Sequence, residues 1–301
     1  MDKKRLLITG VSGLLGSNLA YYFRDKYEVL GIYNTHPFAP SWCRTQQADL
    51  TLPGESSRVV KEFSPDVCIH CAALADIDQC EEQPGLAYKL NVDLPKRVAD
   101  AVTGHGAIMV HISTDNVFDG KKGNYTEEDP VGPLSYYSET KFQAEKALAG
   151  YAACLIVRTS FYGSGGVTKK SLVEWAVTEL AAGRGIKGFT DVITSNIYTA
   201  DCAKLLGAAV LKGMTGLIHL ACHDARSKYD LLCDVARRSG FDVARVKPLS
   251  VDDFPFKAHR PKNISLNVSK LATTVGAGNV PSSVLSMAHF FRDSEICKDA
   301  P

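Results

Sequence analysis

No stretch of this chain holds the roughly 18 uninterrupted apolar residues that a membrane-spanning helix requires. Nor does one sign of charge dominate, because 34 Lys and Arg face 33 Asp and Glu, for a formal net charge of +1. No strong field therefore draws the chain to nucleic acid or to an acidic membrane, although a local basic pocket for a phosphorylated ligand is compatible with that balance. The charged start, Met1-Asp2-Lys3-Lys4-Arg5, leads into too short an apolar stretch for a secretory signal, so the expected location is cytoplasmic. Internal repeats, low-complexity tracts and an obvious linker are all lacking. The nine cysteines are odd in number and scattered through apolar segments, which reads as reduced thiols filling a core. Cys68-Ile69-His70-Cys71 is formally a CxxC. It lies in the apolar run 66–73, which reads as a strand, and residues three apart on a strand point to opposite faces. No metal site is expected there.

What is present is alternation. Residues 4–9 are apolar and end at glycine, as a buried strand does. Leu14, Leu15, Leu19, Tyr22 and Phe23 then recur at helical spacing. Strands follow at 28–33, at a short segment ending near Ala48-Asp49, at 66–71, at 107–112 and at 153–158. Helices are expected at 53–63, 84–103 and 136–149, with a polar loop at 113–134. Strands alternating with helices at this spacing mean right-handed βαβ units, hence a doubly wound parallel α/β sheet of Rossmann type. After Arg158 the alternation loosens, with helices near 169–182, 199–211, 228–239 and 281–291 and short strands near 217–220 and 244–248. We expect a dinucleotide-binding domain over 1–160 and a smaller substrate lobe over 161–301, of which a segment near 190–212 returns to the main sheet. Ligands in such sheets bind beyond the carboxyl ends of the strands, so the cleft should lie between the lobes.

Thr9-Gly10-Val11-Ser12-Gly13-Leu14-Leu15-Gly16 is a G-x-x-G-x-x-G turn between the first strand and first helix. Gly10 suits the tight turn, Gly13 lets backbone approach a pyrophosphate, and Gly16 lets the helix pack close to the sheet. The helix N-terminus adds N–H groups and a positive dipole end. At the end of the second strand, where an acid commonly holds the ribose of NAD, the chain has Tyr33-Asn34-Thr35-His36. The missing carboxylate favours NADPH over NADH, with His36 and Arg44 as candidate partners of a 2′-phosphate. Asp49-Leu50 is placed either beside an adenine or as a turn before a helix.

Tyr137-Ser138-Glu139-Thr140-Lys141 puts Tyr and Lys on one helix face, four residues apart. Reducing a carbonyl with a hydride needs a proton donor at the new alkoxide. A free phenol, with a pKa of about 10, is a poor one near neutrality. A neighbouring ammonium favours phenolate and should lower that value. The strand before this helix ends in His111-Ile112-Ser113-Thr114-Asp115, which offers a hydroxyl to the substrate carbonyl. Thr114 is the first choice and Ser113 the fallback. Asn91, within the long helix, either holds a water or backbone group near the site or simply sits on a partly buried face.

These residues together resemble the extended short-chain dehydrogenase/reductase superfamily, and within it the dTDP-4-dehydrorhamnose reductase family. Residues 112–120, Ile-Ser-Thr-Asp-Asn-Val-Phe-Asp-Gly, look like that family's STDYVFDG. Tyr137 to Lys141 looks like its YGKTK, Arg158-Thr159-Ser160 like its RTSW, and residues 72–81 like its AAxTAVDxAE. Phe254-Pro255 and Arg260-Pro261 resemble a late FP…RP pattern. The resemblance implies reduction of a 4-keto sugar on a nucleotide with NADPH or NADH. It makes Thr114, Tyr137 and Lys141 catalytic, and Gly10, Ser12, Gly13, Leu14, Leu15, Asp49, Leu50, Ala72, Ala73 and Asn91 cofactor contacts. Gly16, His36 and Cys71, with Tyr137 and Lys141, complete the expected cofactor set. Asp115, Asn116, Phe161 and Arg260 are the candidate substrate contacts. Three positions depart from the pattern: Asn116 stands for Tyr, Ala75 for Thr and Phe161 for Trp. Other readings on the same scaffold are a non-catalytic nucleotide-binding regulatory subunit, like the β subunit of methionine adenosyltransferase, and a sugar-nucleotide epimerase or dehydratase. The expected assembly is a monomer or homodimer.

Overall fold

The computed structural model describes residues 3–166 and 170–296. Its strands are β1 (Arg5–Thr9), β2 (Glu28–Tyr33), β3 (Arg44–Gln47), β4 (Val67–His70), β5 (Ile108–Thr114), β6 (Cys154–Thr159), β7 (Phe161–Tyr162), β8 (Ile186–Phe189), β9 (Ile193–Thr194), β10 (Ile197–Tyr198), β11 (Gly216–His219), β12 (Arg226–Ser227) and β13 (Val246–Leu249). Its helices are α1 (Leu14–Phe23), α2 (Glu55–Phe63), α3 (Ile77–Glu82), α4 (Pro84–Tyr88), α5 (Leu94–Gly104), α6 (Tyr136–Leu148), α7 (Leu172–Ala181), α8 (Thr199–Leu211), α9 (Lys228–Arg238), α10 (Ser269–Val275) and α11 (Ser283–Ile296).

Seven strands form one sheet in the order β11-β6-β5-β4-β1-β2-β3, with every pairing parallel. The chain winds outward from β1 in both directions, so the crevice between β1 and β4 is the topological switch point. Alternate residues along each strand feed two cores. Leu6, Ile8, Val110 and Val157 pack on one side with Leu15 and Leu19 of α1 and Leu205 and Leu206 of α8. Leu7, Met109 and Ile156 pack on the other with Val59 and Phe63 of α2 and Val98 and Val102 of α5. Cys68 belongs to the second core while Cys71 packs against the first, so the two sulfurs of the CxxC do lie on opposite faces.

A third core joins Val173, Ala176 and Leu180 of α7 to Leu231, Leu232 and Val235 of α9 and Met287 of α11. The parallel pair β8–β13 edges this smaller lobe. Residues 216–219 enter the main sheet as β11, and α8, within the expected 190–212, packs its buried face on the first core against that sheet. The helix expected from 169 begins at Leu172, capped by Ser171 in a reciprocal box with Glu174, and Lys169 lies outside the described residues.

Two differences bear on the site. The single helix expected over 84–103 is α4 and α5 joined by a π turn at Lys89–Asp93. Pro95 accounts for it, because proline lacks an N–H and its ring crowds the carbonyl four residues back, that of Asn91. The short helix α3 escaped the sequence reading. Its signal was Asp76, whose carboxylate accepts from the N–H of Gln79 as an N-cap.

Candidate active site

The glycine turn is built as its spacing suggests. Gly10 takes φ +66°, and a Cβ there would stand 2.7 Å from the Ala72 nitrogen. A Cβ on Gly16 would stand 2.3 Å from the Gly10 carbonyl oxygen, so neither position has room for a side chain. The turn is closed by the Gly13 N–H on the Gly10 carbonyl at 3.0 Å, and Gly13 is then the N-cap of α1, with no side-chain cap. Ser12 and Leu15 are buried, and Leu14 is half-buried beneath the 163–166 loop. Asn18 of α1, which the sequence reading overlooked, pins that loop with Nδ2 on the Ser164 carbonyl at 2.9 Å, while its Oδ1 accepts from Thr199.

Around this turn the other expected cofactor residues are spread unevenly. Cys71 and Ala72 follow β4 directly, half-buried, with Ala73 exposed beyond them. His36 is exposed past the end of β2, its Nδ1 3.0 Å from the Thr35 hydroxyl. Arg44 opens β3, also exposed. Asp49 caps its own turn: Oδ1 accepts from both the N–H (3.0 Å) and the hydroxyl (2.7 Å) of Thr51, which holds its pKa down. Leu50 is buried in the second core. Asn91 is wholly buried in the π turn. Its amide clasps Leu74, accepting from N–H at 2.8 Å and donating to C=O at 3.1 Å, and donates to Thr140 Oγ1 on α6 at 3.0 Å. Of the alternatives raised for it, holding a backbone group is the one found.

Tyr137 and Lys141 project from the first two turns of α6, whose N-cap Ser135 accepts from the Ser138 N–H. Thr114 ends β5. Its hydroxyl lies near the Tyr137 side chain, donates to Asp115 Oδ1 at 3.3 Å and accepts from the Asn116 N–H at 3.2 Å. Ser113, one residue earlier, faces away and donates to Glu145 at 2.5 Å inside the core. The strand's alternation thus selects Thr114 over the fallback. Glu145 in turn grips Arg158 in a buried ion pair (2.7 Å) that ties α6 to β6.

Burial pushes the Tyr137 pKa above its ordinary value, the nearby Thr114 hydroxyl pulls it down, and Asp115 and Cys80 add to the rise. Lys141 is itself buried. Its ammonium donates to the Ile112 carbonyl at 2.7 Å and lies 3.3 Å from His111 Nε2, and burial lowers its pKa to about 8 against the raising influence of Glu145 and Cys71.

A cleft of about 500 Å³ opens beside Thr114, between the lobes and beyond the strand ends. Asp115, Asn116 and Ser160 line its floor, Phe189 and Phe256 its far wall, and Lys228 and Arg260 face into it. Burial raises the Asp115 pKa to about 6 against the pull of Lys228, and its Oδ2 has no hydrogen-bond partner among the described residues. Arg260 lies 4.6 Å over the Phe256 ring and pairs with Asp78 at 3.0 Å. Phe161, also expected against substrate, is half-buried and packs against the first core. Lys228, at the start of α9, was missed because it is remote in sequence and carries no motif. Among the described residues no group of three or more metal-ligating side chains occurs, and no helix is long and apolar enough to cross a membrane.

A family model described as the RmlD substrate binding domain matches residues 4–284. The chain belongs to the dTDP-4-dehydrorhamnose reductase (RmlD) family. It is accordingly an NAD(P)-dependent oxidoreductase of the extended short-chain dehydrogenase/reductase type. It is 33% identical over 273 residues to a Mycobacterium tuberculosis dTDP-4-dehydrorhamnose reductase, covering 88% of this chain and 85% of that protein. The β subunit of rat methionine adenosyltransferase 2 is 30% identical over 297 residues, covering 91% and 83%. Among solved structures, a Clostridium acetobutylicum dTDP-4-dehydrorhamnose reductase superposes with a TM-score of 0.83 at 30% identity over 97% of this chain and 99% of that one. The Bacillus anthracis enzyme in complex with NADP gives 0.85 at 27% identity, with the same coverage.

Proposed function

We propose that this RmlD-family chain reduces the keto group of a nucleotide-linked 4-keto sugar, with NADPH preferred over NADH. The observation that carries the reading is the meeting of Thr114, Tyr137 and Lys141 at the carboxyl end of β5, beside a cleft that presents two cations. A nucleotide diphosphate brings negative charge for Lys228 and Arg260, and a flat base for the aromatic wall. The unpartnered Oδ2 of Asp115 is a ready acceptor for a sugar hydroxyl. Residues 1–160 would carry the dinucleotide and the remainder would supply the substrate lobe.

The glycine turn fits a dinucleotide, since a backbone surface stripped of Cβ atoms leads into an uncapped helix start. Gly10, Ser12, Gly13, Leu14 and Leu15 would hold its pyrophosphate, with Cys71, Ala72 and Ala73 alongside. Asp49 is already committed to Thr51, and no acid ends β2, which favours the phosphorylated ribose of NADPH. When bound, the reduced nicotinamide supplies a hydride to the carbonyl carbon. The protein's own part is proton delivery and charge. Tyr137, kept protonated by burial, gives its proton to the carbonyl oxygen. Thr114 donates a hydrogen bond to the same oxygen, and Lys141 sets a positive charge one helical turn away, which steadies the phenolate left behind.

The test follows NADPH oxidation over a panel of dTDP- and UDP-linked 4-keto sugars. Tyr137→Phe should lose about 10²- to 10⁴-fold in kcat, the usual worth of a general acid, with NADPH affinity kept. A wild-type rate in that variant would sink the reading. The second reading, a regulatory subunit, is favoured by the methionine adenosyltransferase relative and by the altered positions Ala75, Asn116 and Phe161. Tight NADPH binding without turnover of any sugar in the panel, together with co-purification of a larger enzyme, would select it.

A further inference from the structure

Beneath the catalytic group two imidazoles lie buried on neighbouring parallel strands. His70 of β4 and His111 of β5 are register partners, with ring centroids 5.7 Å apart and planes 21° from parallel. His70 is anchored by Nδ1 at 2.7 Å from the Thr9 hydroxyl, at the foot of the glycine turn. His111 meets Lys141, its Nε2 lying 3.3 Å from Nζ. His111 Nδ1 has no hydrogen-bond partner among the described residues. An imidazole that faces an ammonium through Nε2 must offer a lone pair there, which places its single proton on Nδ1. Of the two acceptors that meet the Lys141 ammonium, one is the backbone carbonyl of Ile112 and the other is this ring.

We propose that His111 is a positioning residue for catalysis: its neutral ring accepts a hydrogen bond from Lys141, and with the Ile112 carbonyl it fixes the amine at the end of β5 and keeps it charged at neutral pH. The proposal rests on the catalytic reading of Tyr137 and Lys141 given above. The physical argument is direct. A buried ammonium is held in its charged form only by groups that accept from it or carry negative charge nearby. The titratable groups that act on Lys141 or feel its charge are Glu145 on its own helix, Cys71 after β4, and His70 and His111 on the strands, with Tyr137 one turn earlier on α6. Glu145 is spent on Arg158 and Ser113, and the Cys71 thiol is pushed up by burial and is neutral. His70 and His111 are both driven neutral by burial and by the Lys141 charge, so neither competes with that charge. The hydrogen bond from Lys141 to His111 is charge-assisted while the lysine is an ammonium and weaker for the free amine, so it favours the charged form.

The sign of the effect follows. Removing the acceptor disfavours the ammonium, so His111→Leu should move the Lys141 pKa below about 8 by roughly one pH unit, the order expected when one hydrogen bond to a charged group is lost. The alkaline limb of the kcat profile should shift acidward by the same amount, so that lost activity returns in part as the pH is lowered. His111→Gln, whose amide oxygen can accept, should restore the limb. The lysine shift is read without turnover, by NMR titration of ¹³C-labelled lysines in the ligand-free protein, with Lys141→Arg used to assign the signal. Should the Lys141 signal titrate unchanged in a folded His111→Leu variant, the proposal is overturned. An activity loss equal at all pH values in both variants would also overturn it, by showing that the ring only fills space. A wild-type chain that reduces no keto sugar would fail the functional reading alone, because the lysine titration stands apart from it.

Discussion

Lys228 is the residue on which the substrate cleft turns. It is the first residue of α9, preceded by Ser227, which caps the helix by accepting from the Asp230 N–H. Burial depresses its pKa, Asp115 opposes that, and Arg260 adds to it. A half-buried cation held against one carboxylate and a second cation has spare capacity for a ligand anion. Arg260 has less, because its guanidinium is already on Asp78 and Phe256. We therefore expect Lys228→Met to raise KM for the nucleotide sugar by about 10- to 100-fold, the worth of one charge-assisted hydrogen bond. Arg260→Ala should raise it less, and neither should alter NADPH affinity. Steady-state kinetics with a fluorescence titration of NADPH would check the order of the two effects. If Lys228→Met leaves KM untouched, the diphosphate does not sit there. Asp115 and Arg260 were legible beforehand through the family resemblance, and Lys228 was not. Thr114, Tyr137 and Lys141 carry spacing that a sequence displays, whereas Lys228 reaches Asp115 only because the second lobe folds back over the strand ends.

At the scale of elements, the site is held by contacts that join one piece of secondary structure to another. Asn91 is the clearest, since one buried amide ties the π turn, the loop after β4 and α6 together. Asn91→Ala would leave the Leu74 N–H without its partner, while the Leu74 carbonyl keeps the Cys80 thiol and the Thr140 hydroxyl keeps the Tyr137 carbonyl. One buried group left so costs about 1–3 kcal/mol, and a net loss in that range is expected, read as a lower urea midpoint with unchanged m. The Glu145–Arg158 pair does the same for α6 and β6. Glu145→Gln should cost about 3–5 kcal/mol by stranding a buried guanidinium, whereas a double change to apolar residues should cost less. Equal losses in the single and double variants would contradict the ion-pair account. The helices and strands of the first half were readable because burial on both sheet faces writes continuous apolar strands, as in Leu6-Leu7-Ile8 and Leu155-Ile156-Val157. The π turn was not readable from periodicity, since it keeps the helix running while advancing its face. Pro95 was the mark that it left. Helix α3 is six residues long, too short for any period to show, and only its cap announced it.

Across the whole molecule, the parallel sheet places three neutral imidazoles in its interior, and they set how the fold meets acid. His70 is pushed down to about 3 and His219 to about 4, and His111 lies well below its ordinary value, each through burial and then through a neighbouring cation, Lys141 or Arg158. In the unfolded chain all three take up protons near pH 6.5. Between that pH and about 4 the unfolded state therefore binds more protons than the folded one, and stability falls as the pH falls. Asp115 acts in the opposite sense. Its folded pKa of about 6 exceeds its unfolded value, so it binds a proton in the folded state first and offsets one imidazole between about pH 6 and 4. Two net protons remain, and each contributes a slope of about 1.4 kcal/mol per pH unit. The urea midpoint should thus drop steeply between pH 6.5 and 4.5, starting well above the range where ordinary carboxylates titrate. His219→Gln should flatten the slope by about one proton, although it loses stability at pH 7 through its contacts with Arg158 and the Tyr125 and Asn267 carbonyls. A midpoint constant across that window would mean that water reaches these rings in the native state. It would also remove the neutral His111 on which the positioning of Lys141 depends.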